Sequence, residues 1–124
     1  MAIDNLSKEH EKFVDGLIKA GLQKNVALTL VVVASSDEAK SREIETITKL
    51  RQPEVSVAIN ELKDRDWVTK RDIKKEGKGR PVHSYYLDKP MNEIIDEIME
   101  KERERIEEIE DNLQQIRKLS DSVL

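Results

Sequence analysis

The chain has 124 residues, enough for one domain with an appended element, and 39% of them are charged while only 3% are aromatic, so its core must come mainly from Leu, Ile, Val and Ala. It contains no cysteine, which excludes disulfides, thiolate metal sites and thiol catalysis and points to a reducing compartment. The net charge of -4 divides into -2 over residues 1–39, +4 over 40–89 and -6 over 90–124, so a polyanionic partner should meet the middle third.

The opening MAIDNLSKEH lacks the basic and apolar parts of a signal peptide, and the longest apolar run, residues 26–34 with Thr29 inside it, is too short to span a bilayer. A cytoplasmic protein with no membrane partner is expected. Ser7 is placed to cap a first helix whose Phe13, Leu17 and Ile18 share a face and whose stop lies near Gly21. NVALTLVVVA follows; its β-branched run suits a buried strand, but Asn25 as a cap and the uninterrupted length suit a buried helix, and the segments after it favour helix.

SSDEAK reads as a polar break, after which Ser41 is expected to cap a short helix carrying Ile44, Ile47 and Leu50 at helical spacing. Leu50, Arg51 and Gln52 then connect tightly to Pro53, a residue suited to the first position of a new helix, and Val55, Ile59 and Leu62 form its inward stripe as far as about residue 66. Two short helices so joined form a helix-turn-helix. Residues 67–69, a turn at Gly77-Lys78-Gly79 and an alternating run over 82–87 predict a two-stranded hairpin. From residue 90 or 91 one helix runs without Gly or Pro toward Ser120, about 45 Å long. Along it Ile95, Met99, Ile106, Ile109, Leu113, Ile116 and Val123 form one seam, broken by Glu102 and Ser120. A second copy of the chain is the economical cover for this seam, and its parallel and antiparallel arrangements both remain open. Ile94 and Ile98 lie off the seam, where they are expected to pack on the body of the domain.

Helices, helix-turn-helix and basic hairpin occur in the order of a winged helix. LTLVVVASSDEAKSREIETITKLRQPEVSVAINELKDRDWV followed by GKGRPVHSYYL resembles the winged-helix transcription regulators of the MarR, ArsR and TrmB type, small archaeal members above all, over about residues 10–89. The resemblance implies a mainly α fold with a small β-hairpin wing, a winged-helix DNA-binding domain over 1–89 and a C-terminal dimerisation helix over 90–124. It also implies that recognition helix 53–66 enters the major groove of double-stranded DNA while the basic wing, 70–81, meets backbone or minor groove. Such regulators bind as homodimers and commonly repress.

The residue types agree with that chemistry in part. Gln52, Ser56, Asn60 and Lys63 fall on one flank of the helix, where the first three can hydrogen-bond base edges and Lys63 a phosphate. Ser41 and Arg42, opening the preceding helix, suit phosphate contacts. Lys70, Arg71, Lys74, Lys75, Lys78 and Arg80 supply the wing's cations, with Arg80 at the tip suited to a narrow minor groove. Gly77 and Gly79 permit positive φ, and Pro81 stiffens the return strand. Departures from the family are Val57 and Ala58, where relatives often carry Arg or His, and the acids Glu54, Glu61 and Asp64 on the same helix. Trp67, Tyr85 and Tyr86 are read as packing residues and His83 as a strand surface residue.

No phosphate-cradling loop or nucleophile elbow is present, and His10 and His83 are too far apart in sequence to mark a metal site. The expectation is therefore a non-enzyme without cofactor, whose effector, if it has one, the sequence does not name. The alternatives are a winged helix used to bind a basic protein, favoured by the acids of the recognition helix and the acidic tail, and a sequence-indifferent chromatin-type DNA binder.

Overall fold

A computed structural model of the chain describes residues 5–73 and 82–124. Helix α1, Lys8–Lys19, begins where expected: the Ser7 hydroxyl accepts the His10 N–H at 3.3 Å, and His10 Nδ1 accepts the Ser7 N–H at 3.0 Å. Its end is equally local. Gly21 takes φ 107°, and the Leu22 and Gly21 amides fold back onto the carbonyls of Leu17 and Ile18, a Schellman closure that glycine makes without Cβ strain. Val14 and Leu17 are the buried residues, while Phe13 and Ile18 are only half-buried.

Helix α2, Lys24–Ala34, is the element about which α1, α3, α4 and the sheet's third strand pack, and seven of its eleven residues are buried. Its cap is Gln23 rather than Asn25, whose side chain instead donates to Glu54 at 3.4 Å. Because α1, α3, α4 and the sheet all contact it, no polar face is left. That explains a β-branched run adopting a helix: burial on every side outweighs the few tenths of a kcal/mol per residue that Val loses in helix propensity.

The polar break after α2 contains a strand that the sequence reading missed. Ala39–Lys40, β1, pairs antiparallel with Tyr85 and Ser84 of β3. Helix α3, Ser41–Thr48, follows at once, so Ser41 is its first residue and Lys40 its cap; the Glu43 carboxylate accepts the Lys40 N–H at 3.3 Å. Helix α4, Gln52–Asp64, carries Pro53 as its second residue, still in the first turn where a missing N–H is harmless. It stops two residues before the expected end because Asp66 takes φ 61° and the Trp67 amide returns to Leu62. Strands β2, Val68–Ile73, and β3, Val82–Leu87, form the expected hairpin with Val68 opposite Leu87 and Ile73 opposite Val82. The sheet order is β1-β3-β2. The fold is thus mainly helical with a three-stranded antiparallel wing sheet.

The chain divides into two compact units, residues 1–91 and 92–124. The second is the body of α5, Met91–Val123, a single helix about 50 Å long. Ile94 and Ile98 are buried, Ile95 is half-buried, and Met99, Ile106, Ile109, Leu113 and Ile116 are 45–59% exposed. Leu119, which the seam pattern passes over, is exposed to a similar degree. Among the described residues no helix is long and apolar enough to cross a membrane.

Candidate nucleic-acid interface

The three-residue link between α3 and α4 is fixed by its own hydrogen bonds. Buried Thr48 donates its hydroxyl to the Ile44 carbonyl at 2.6 Å and accepts the Leu50 amide at 3.2 Å, while Lys49 sits at φ 64°. Val55, Ala58, Ile59 and Leu62 are buried, so the rotation of α4 about its axis is set by four inward side chains. What remains outward is therefore determined.

Gln52, Asn60 and Lys63 are exposed and Ser56 is half-buried. The Gln52 amide nitrogen donates to the Ser56 hydroxyl at 2.8 Å, which aligns the amide along the flank while its carbonyl oxygen can still accept. The flank anticipated from sequence exists, and two of its members are already coupled. Val57 stands beside them at 67% exposure, where the sequence marks the loss of a cation and a feature that also suits a protein partner. A valine there offers an apolar contact of the kind that meets a thymine methyl. Ala58, by contrast, is core.

Two of the three acids on α4 are occupied within the fold. Glu54 accepts the Arg51 amide at 3.0 Å through one oxygen and the Asn25 side chain at 3.4 Å through the other. Glu61 pairs with Arg65 at 3.2 Å, and the Arg65 guanidinium lies 4.9 Å from the centre of the buried Trp67 ring. Each carboxylate is thereby fixed against one end of the helix, Glu54 at the start and Glu61 near the finish. Asp64 remains exposed. The Glu61–Arg65 pair has the i,i+4 spacing that sequence signals, whereas the contact of Glu54 with Asn25, 29 residues away, has no such signal.

Ser41 is half-buried and Arg42 exposed at the start of α3. On the wing, Lys70 and Arg71 are both exposed, and Arg71 pairs with Glu38 at 3.3 Å. Lys74, Lys75, Lys78 and Arg80, together with Gly77, Gly79 and Pro81, lie outside the described residues. Trp67 and Tyr85 are buried, Tyr86 is half-buried, and His83 is exposed on β3. The aromatics are thus packing residues rather than exposed stacking platforms. Among the described residues no three His, Asp or Glu side chains gather as a metal site.

Residues 20–79 match the model of the MarR family. In fold the chain is similar to AbfR in its disulfide-bonded form, with 15% identity, 90% of this chain and 81% of that one covered, and a TM-score of 0.50. It is also similar to Pex from Synechococcus sp., with 20% identity, 82% and 84% covered, and a TM-score of 0.49. No curated protein matches the sequence with significance.

Proposed function

We propose that the chain, whose residues 20–79 match the model of the MarR family, is a transcriptional regulator, a repressor, that binds double-stranded DNA as a homodimer. The observation that carries the reading is the outward flank of α4, where Gln52, Ser56, Val57, Asn60 and Lys63 combine amide, hydroxyl, methyl and ammonium groups. These are the groups that read base edges, with Lys63 reaching a phosphate. The pairing of Glu61 with Arg65 lowers part of the repulsion that an acidic recognition helix would otherwise present to DNA.

Ser41, Arg42 and Lys70 add backbone contacts, joined by Lys74, Lys75, Lys78 and Arg80 of the wing. Arg71 would exchange its exposed pairing with Glu38 for a phosphate. A two-fold dimer presents two copies of α4 to related half-sites. Repression follows when the occupied site blocks access to a promoter.

The test is fluorescence anisotropy with the duplex from the gene's own upstream region and a scrambled duplex, across a salt series. Affinity should fall steeply with salt, as phosphate contacts require, and should favour the native duplex. Asn60→Ala should cost about 1–3 kcal/mol on the preferred site and much less on the scrambled one. Equal binding to both duplexes would establish the sequence-indifferent binder instead. No binding to either at low salt sinks the DNA reading and turns attention to a basic protein partner.

A further inference from the structure

The seam of α5 has a charge pattern that selects one arrangement of two copies. With Met99, Ile106, Leu113 and Ser120 as the first apolar position of each heptad, Glu102, Ile109, Ile116 and Val123 take the second. The residue following each second position then runs Asp96, Arg103, Glu110, Arg117, alternating in sign and exposed throughout. In an antiparallel pair these flanking positions face one another across the interface.

We infer that two copies of α5 associate as an antiparallel coiled coil in the register that places Arg103 against the partner's Glu110 and Asp96 against the partner's Arg117. The inference rests on the homodimer proposed above. By two-fold symmetry each pairing occurs twice, so four opposite-charge pairs flank the seam. The same register stacks Met99 on the partner's Ile116 and Ile106 on the partner's Ile109. All four are about half exposed in the single chain, as residues awaiting such cover should be.

Neighbouring registers are opposed by the same charges. A slip of one heptad in one direction sets Arg103 against the partner's Arg103 and Asp96 against the partner's Glu110. A slip in the other direction sets Glu110 against the partner's Glu110 and Arg103 against the partner's Arg117. Both penalise the alternative rather than merely failing to reward it.

Glu102 decides between parallel and antiparallel. An in-register parallel pair buries Glu102 against the partner's Glu102, two like charges within the seam, which is costly where water is excluded. The antiparallel register instead sets Glu102 in a layer with the partner's Leu113, and its carboxylate lies 3.8 Å from Arg105 of its own chain. A polar residue at a seam position fixes register and orientation in this way.

The experiment combines sedimentation equilibrium with spin-label distances and a charge-swap cycle on the full chain. With no native cysteine, Asp121→Cys gives one label per chain; an antiparallel pair separates the two labels by about 40 Å and a parallel pair by about 20 Å. Arg103→Glu or Glu110→Arg alone should weaken dimerisation about tenfold, because two exposed pairs turn from attraction to repulsion. The double variant should restore it. Residues seven apart on one helix do not touch, so rescue reports contact between chains. A dimer with labels near 20 Å, or with no rescue, overturns the inference while leaving the homodimer in place. A monomeric wild-type chain overturns both.

Discussion

Helices α2 and α5 are both rich in aliphatic residues and treat them oppositely. In α2 the apolar side chains point in every direction and are nearly all buried within the one chain; in α5 they form a single stripe, and beyond Ile98 that stripe stays about half exposed. The first pattern belongs to a core that a single chain completes. The second belongs to a surface whose apolar residues, spaced as a heptad over six turns, are too regular to be scattered surface aliphatics. The contrast teaches that average hydrophobicity says little about whether an interface lies inside or outside the chain; the angular distribution of the apolar residues says much more.

The same kind of truncation in the two helices should separate these roles. Leu30 is fully buried in α2, so Leu30→Ala should cost about 3–4 kcal/mol in chemical denaturation, independent of protein concentration, through lost transfer energy and a cavity. An effect below about 1 kcal/mol would show that α2 is not the centre of the core. Ile109→Ala should instead leave the monomer's stability nearly unchanged and weaken dimerisation by about 2 kcal/mol, read from the shift of the melting midpoint with concentration. Loss of stability that ignores concentration would break the comparison, since it would make Ile109 an intrachain core residue.

How much could be read from sequence divides along the same line. Local signals were legible: the Ser7 cap, the Gly21 stop, the stripe of α4, the hairpin and the length of α5 all follow from neighbouring residues. Elements fixed by distant partners were not. Strand β1 has two residues and exists because Tyr85 and Ser84 offer it a ladder; nothing in Ala39-Lys40 encodes that. The candidate interface shows the same division. The helical spacing of Gln52, Ser56, Asn60 and Lys63 gave their shared flank, but the capture of Glu54 by Asn25 and of Arg71 by Glu38 required the tertiary fold. The Arg71–Glu38 pair alters the charge that a partner meets and the Asn25 contact orients the Glu54 carboxylate, so the electrostatics of the interface were less legible than its shape.

The smallest predicted effect concerns the link that aims α4. Lys49 and Asp66 each close a helix at positive φ, 64° and 61°, where a side chain other than Asn or Asp is disfavoured. Lys49 is exposed, so Lys49→Gly removes Cβ strain without emptying a core and should stabilise the fold by about 0.5–1 kcal/mol, seen as a melting midpoint higher by a few degrees. Gain at Asp66→Gly should be smaller, because aspartate tolerates this conformation better than lysine does. If Lys49→Gly instead lowers the melting midpoint, the left-handed residue is not the strained point of the link. The geometry would then depend mainly on Thr48, whose hydroxyl holds Ile44 and Leu50 together, and Thr48→Val should be the variant that misaims α4 and weakens discrimination between the native and scrambled duplexes.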